Sequence, residues 1–420
     1  MDSSTANTIS QTSHAILRDL DLQPSTTTSG HVRLRRGVLR DSSDDASWEE
    51  EVDIPVFLDS VESLRFCGFK KSAAATILSN FRNYYSPHGH PIEPLATSIY
   101  TLVEFALGFL EGKPDAFSED EDWLVALKDM GIKRSLREAI CDPTFVDIRP
   151  TKSAKGWATE TISESWAFLC AVDGRIKKNA PTMRSRMHRR TESGQSSSQI
   201  VGPTSSSNNS ASTNISPTVI SSEATIPQEY KAGIFCRGGY ISRFLEIKDP
   251  NIKCLIMDTL LSMPPGDFEK ARPVLYLTKQ RQVAWKYANY AKARSPAVAC
   301  GVLYISIPPE LVENVYYMTD EDFRNLVWAC RGPSYDPRPG AAVDAVRERF
   351  ARYDWLVGKT CGQCSDVIKR LASKEQLEVL RTVDGERAFQ WAVMREAVWN
   401  QIALACYERV WIEVTHEQSS

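Results

Sequence analysis

Cys361-Gly362-Gln363-Cys364 has the spacing at which two thiols exchange a disulfide, if the first sits at a helix N-terminus whose dipole lowers its pKa. The following SDVIKRLAS can form such a helix, but RERFARYDWLVG before it continues a helical pattern where a thioredoxin-like site wants a buried strand. Zinc needs four ligands, and no second CxxC or CxxH pair lies nearby, so the expectation is structural thiols and no metal. Gly358-Lys359-Thr360 imitates the end of a phosphate loop, yet Tyr353 stands where that loop requires glycine and no strand is expected to lead in. His88 and His90 form an HxH in a proline-containing loop, without a further partner at ligand spacing. No G-x-S-x-G elbow occurs, and Ser306 falls inside an expected strand, so a serine hydrolase has little support.

A different constellation lies in the C-terminal half. RPVLYLTK reads as a short strand, with a proline at its first position, and QRQVAWKYANYAKAR as a helix whose Val283, Ala284, Tyr287, Ala288 and Ala291 share a face. GVLYISI reads as a second strand, with Val302, Tyr304 and Ser306 on one side and Leu303, Ile305 and Ile307 on the other, which suits a sheet buried mainly on one side. This strand-helix-strand run resembles the second-strand unit of ADP-ribosyltransferase-like domains: Tyr276-Leu277-Thr278 fits the family's YLT strand, and Ala284-Trp285-Lys286-Tyr287-Ala288 fits the helix after it. GIFCRGG is similar to the family's first strand, and ERAFQWAVMREAVWNQIALACYERVWI to its late strand-helix-strand unit, while nothing before Glu229 takes part.

The resemblance implies NAD as substrate and no metal. Arg237 would hold the pyrophosphate or ribose with its guanidinium fork, Tyr276 would stack on nicotinamide, and Thr278 would bond the nicotinamide ribose. Releasing nicotinamide passes through an oxocarbenium-like ribose that a nearby carboxylate stabilises. Many relatives open the late strand with a catalytic Glu and some with Gln; here Gln390 occupies that place. A neutral amide forfeits roughly 100- to 1000-fold in rate, on the scale of one lost oxyanion-hole donor. The implied activity is therefore an ADP-ribosyltransferase or NAD glycohydrolase of low or vestigial activity. Glu386, Glu408 and Glu413 are alternative carboxylates, the first in an expected turn and the others at the final strand, away from the site. The rival reading is a non-catalytic, phospho-regulated protein-interaction module, whose helices recognise a protein partner and whose sheet is a scaffold.

The elements around these residues suggest an α+β chain. Residues 1–50, rich in Ser, Thr and Asp with a basic HVRLRRGVLR and an acidic DSSDDASWEEE, read as a disordered arm. Apolar residues three and four apart from Ile54 to Pro181 predict an all-helical module over 51–181. A Ser/Thr-rich stretch from Thr191 to Ile226 predicts a disordered linker over 182–228, whose first part holds Arg189-Arg190-Thr191, read as a solvated basic run, a kinase site or a nuclear-import patch. Residues 229–415 then form a mixed α/β domain of ADP-ribosyltransferase-like type, with GIFCRGGY and IKCLIMDTLL as strands, TDEDFRNLVWAC and AAVDAVRERFARYDWL as helices, and a hairpin turning at Asp384-Gly385.

Composition bounds the rest. With 420 residues at about 150 per domain, two or three domains are expected. An apolar fraction of 42% and a charged fraction of 25% are those of a globular chain and exclude wholesale disorder. A net charge of -3 gives no global attraction for nucleic acid. The N-terminus lacks a signal-peptide pattern and the richest apolar window, Ile99 to Leu110, contains Glu104, so no membrane span, a cytoplasmic or nuclear location and reduced cysteines are expected.

Overall fold

Short apolar strands are stable only when sheets and helices cover them. In the computed structural model this cover comes from segments far apart in sequence. Residues 7–20, 22, 25–26, 30–39, 51–85, 101–117, 122–193, 217–245, 247–333, 341–382 and 384–415 are described. The chain divides into two units: Met1–Glu111 with Ile162–Thr213, and Gly112–Thr161 with Asn214–Ser420.

The first unit corrects the expected arm. Helix Gln11–Asp19 begins at Ser10, whose side chain accepts from the Ser13 amide. His31–Arg35 pairs antiparallel with Glu51–Pro55 and with the short Ser25–Thr26. Val32 and Leu34 face inward and oppose Val52 and Ile54, so the basic cluster is one side of an alternating strand whose other side is apolar. Helices Val61–Cys67, Lys71–Tyr85 and Leu102–Glu111 follow, with residues 162–193 of a long helix, Ala154–Ser193, that passes through Pro181. The N-terminal region is therefore not wholly helical. The expected linker also begins later than residue 182, since the backbone is helical to Ser193, and its 194–216 part lies outside the described residues, as do His88 and His90.

The second unit is a mixed α/β body that takes 112–161 from the expected helical module. We number its main elements: strands β1 (Thr218–Ile220), β2 (Ile234–Tyr240), β3 (Leu261–Ser262), β4 (Val274–Leu277), β5 (Cys300–Ser306), β6 (Val315–Tyr317), β7 (Trp355–Lys359), β8 (Phe389–Val393) and β9 (Val410–Val414), and helices α1 (Arg281–Arg294), α2 (Asp320–Arg331), α3 (Ser365–Ile368) and α4 (Glu396–Ala405). One sheet has the order β1-β9-β5-β2 and the other β6-β7-β8-β4-β3. The two meet where Cys236 and Thr278 exchange backbone bonds of 2.6 and 3.0 Å.

Every residue of β5 is buried, which corrects the one-sided expectation. Leu303, Ile305 and Ile307 join Phe235 and Trp355 in one core, while Val302 and Tyr304 face Ala284 and Ala288 of α1 in another. The alternation separates the faces correctly, but both are covered, because α1 lies on the side read as exposed. IKCLIMDTLL contains only two-residue strands and a 3-10 turn at Met257–Leu260. The expected helix through residue 356 stops at Phe350, and the buried strand β7 leads into Cys361 instead. Trp355 anchors that strand: its ring is buried and its indole N–H donates to Leu311 O at 2.7 Å. The expected turn stands, with Gly385 at φ 78° and the Thr382 amide bonded to Glu386 O, but its first arm forms only isolated bridges such as Arg381 with Arg387, while β8 pairs with β7 and β4. Among the described residues no helix is long and apolar enough to cross a membrane.

Candidate functional site

β2 carries Arg237 as its apolar core residues end, and Gly238 lets it lie close under a helix. A Cβ at Gly238 would fall 1.7 Å from Ala284 O, so α1 rests directly on the β2 backbone. β4 carries Tyr276 beside it and continues into Thr278, while β8, paired antiparallel to β4, carries Gln390. Arg237, Tyr276, Thr278 and Gln390 line one cavity of about 330 Å³, together with Asp267, Tyr287, Arg331 and Cys361. That volume falls in the range of small-ligand pockets.

Arg237 is partly buried, and burial together with nearby Arg243 pulls its pKa down to about 10, leaving it charged at neutral pH. Its guanidinium donates to Tyr276 O at 2.8 Å and Ser262 Oγ at 3.4 Å, and no carboxylate among the described residues pairs with it. A buried cation without a counter-charge is costly, which makes an anion from outside favourable here. The lining cations are Lys152, Arg237, Arg243 and Arg331, against the carboxylates Glu160 and Asp267. The cavity therefore carries surplus positive charge.

Tyr276 places its ring against the cavity. Its hydroxyl accepts from the Phe268 amide at 3.0 Å, and burial pushes its pKa well above the ordinary phenol value. The Thr278 hydroxyl donates to Phe389 O at 2.8 Å and accepts from the Gln280 amide at 3.0 Å, so its one proton is engaged and a second lone pair is left to accept. The Gln280 side chain holds the start of β8 as well, accepting from Phe389 N at 2.6 Å and donating to Arg387 O at 3.1 Å.

Gln390 is buried, and its amide nitrogen donates to Asp267 Oδ2 at 2.6 Å and to Lys359 O at 3.0 Å. Both partners are acceptors, so the nitrogen must point to them and the carbonyl oxygen away; among the described residues that oxygen accepts no hydrogen bond. Asp267 is itself buried. It pairs through Oδ1 with Arg331 and accepts the Cys361 amide at 2.9 Å on Oδ2. Arg331 is anchored further by Gln363 O at 2.6 Å and Ser365 Oγ at 3.1 Å; burial pulls its pKa down, but the Asp267 charge more than offsets this.

The residues that sequence reasoning missed are Asp267 and Arg331. Asp267 follows Pro264-Pro265-Gly266 in the segment between β3 and β4, where composition signals only a turn, and Arg331 is the last residue of α2, where a cation reads as a solvated cap. Of the Cys-x-x-Cys pair, Cys361 borders the site. Burial pushes the Cys361 thiol up to about 12 and also raises that of Cys364, and none of the ten cysteines is in a disulfide. Of the alternative carboxylates, Glu413 is held by Arg281 at 2.8 Å and by the Tyr304 hydroxyl at 2.5 Å, Glu408 faces Lys248 at 3.3 Å, and neither these nor Glu386 line the cavity. Compared with protein-family models, curated proteins and solved structures, the chain matches none of them.

Proposed function

We propose that the second unit binds NAD in this cavity and that the protein is an ADP-ribosyltransferase-like transferase or an NAD glycohydrolase of low or vestigial activity. The observation that carries the reading is the convergence of Arg237, Tyr276, Thr278 and Gln390, from three strands far apart in sequence, on one cavity of about 330 Å³. The surplus of cationic lining and the absence of a carboxylate partner for Arg237 support a ligand that brings phosphate. Tyr276 offers a ring face for a flat heterocycle, and the Gln390 carbonyl offers an acceptor to a ribose hydroxyl or a carboxamide. In the reaction, the bond between ribose C1′ and the nicotinamide nitrogen breaks with its electron pair remaining on nitrogen, so that nicotinamide leaves neutral. Water or an acceptor nucleophile then bonds to C1′ and gives up a proton to solvent.

The test is nicotinamide release by purified protein, together with the rise in melting temperature on adding NAD. Both are expected for the native protein, and Arg237→Ala is expected to abolish release and remove the rise. A native protein that shows neither effect rules the reading out. The internal engagement of the Thr278 hydroxyl and the Gln390 amide nitrogen favours the second reading, a non-catalytic protein-interaction module in which the cavity only binds. NAD-dependent stabilisation without any release is the outcome that reading expects.

A further inference from the structure

We propose that Asp267, not Gln390, is the carboxylate that faces the developing ribosyl cation, and that Gln390 is its positioning residue. The assignment rests on the NAD reading and names a group outside the late strand for the charge that strand lacks. The argument begins with distance. Gln390 Nε2 lies 2.6 Å from Asp267 Oδ2, so a glutamate at 390 would put a second carboxylate in contact with the first. Two such groups cannot both ionise and would share a proton. With an aspartate at 267, the residue at 390 must be a donor toward it, and glutamine is the neutral residue of glutamate's shape that donates.

The hydrogen bonds around Asp267 leave room for a ligand. An ionised carboxylate has about four acceptor directions. Arg331, the Cys361 amide and Gln390 take three of them, while Asp267 remains part of the cavity lining. Each of those partners is itself held. Gln390 is fixed by Lys359 O, Arg331 by Gln363 O and Ser365 Oγ, and the Cys361 amide by its place just after β7. A carboxylate fixed from three sides needs no reorganisation when charge develops beside it, which is the condition under which electrostatic stabilisation is most effective. Arg331 offsets the cost of keeping the Asp267 charge out of water. As the C1′–N bond breaks and its electron pair leaves with nicotinamide, the positive charge left on the ribose is balanced by Asp267, which forms no covalent bond. Water adds at C1′ and releases its proton to solvent.

The experiment uses the full chain and measures kcat and KM for nicotinamide release and the NAD-dependent melting shift, for native protein, Asp267→Asn, Asp267→Glu and Gln390→Ala. The expected result for Asp267→Asn is a fall in kcat of about 100-fold with KM nearly unchanged. Asp267→Glu should recover part of the rate, and Gln390→Ala should lower kcat with KM nearly unchanged. A kcat for Asp267→Asn close to native overturns the assignment while the NAD reading stands. If Asp267→Asn does not fold with Arg331 unpaired, Gln390→Ala, which keeps the ion pair, decides the matter: a native kcat in that variant overturns the assignment. A native protein stabilised by NAD but without release overturns the assignment together with the catalytic part of the NAD reading, while NAD binding stands; one that shows neither effect overturns the NAD reading as a whole.

Discussion

Gly238 is the residue on which the geometry of Arg237 depends most directly. A methyl group there would overlap Ala284 O, which belongs to the backbone of a helix and cannot rotate away. Gly238→Ala is therefore expected to cost at least the 1–3 kcal/mol typical of overpacking, roughly, and to remove the NAD-dependent melting shift by moving β2 away from α1. Urea titration with and without NAD measures both effects. Cys361 gives a second expectation at this scale. With its thiol pushed up to about 12 by burial, it should resist alkylation by iodoacetamide at pH 8 in the folded protein and react once the protein unfolds, as mass spectrometry of the labelled peptide would show. Rapid native labelling of Cys361 would contradict that environment. Arg237, Tyr276, Thr278 and Gln390 came into view only through the resemblance of their strands to an ADP-ribosyltransferase-like pattern; that they line one cavity is a matter of geometry no local pattern carries. Asp267 and Arg331 did not come into view, because the meaning of each comes from a partner dozens of residues away, which no local periodicity reports.

Elements were legible where a cap or a long period marked them. Helix α2 is the clearest: Thr319 accepts from the Asp322 amide at 3.1 Å, and acids fill its first turn as its dipole favours. Thr319→Ala should lower stability by about 1 kcal/mol, read as a fall in the urea midpoint. Asp322 adds a pH dependence. Burial alone would raise its pKa, but bonds from the Tyr316 hydroxyl at 2.6 Å and the Thr319 hydroxyl at 2.9 Å, with Arg349 at 2.8 Å, hold it below the ordinary carboxylate value. A folded pKa below the unfolded one stabilises above about pH 4 and loses that contribution as pH falls through the folded value. Asp322→Asn should therefore be less stable than native at pH 7 and approach it as the pH is lowered toward 3, in thermal melts at each pH. Elements without such signals were misread. His31–Arg35 hides two apolar residues among basic ones, and Trp355–Lys359 is too short for its period to separate it from the helix before it.

The division of the chain into bodies was the least legible feature, because a boundary depends on which surfaces bury each other and not on composition. The sequence places the C-terminal domain at 229–415, yet α1 has its outer partners in 112–161, within the same unit. The Tyr290 hydroxyl donates to Ile140 O at 2.8 Å, and its ring meets Trp157 and Phe145 at centroid distances of 4.8 Å. Lys286, nearly buried, pairs with Asp147 at 2.7 Å. Arg294, with a side chain only 1% exposed, bonds Thr161 Oγ1 at 2.9 Å and pairs with Glu160 at 3.3 Å. Removing 112–161 leaves two cations on α1 without their partners, and a buried charge stripped of its partner costs about 3–5 kcal/mol. Because a whole domain holds roughly 5–15 kcal/mol of net stability, a fragment limited to 229–415 should fail to fold cooperatively. A chain beginning at 112 keeps every one of these contacts and should melt in a cooperative transition that NAD shifts upward. Calorimetry of the two fragments side by side separates the cases: a 229–415 fragment as stable as the longer chain would mean that α1 does not need the helices at 112–161.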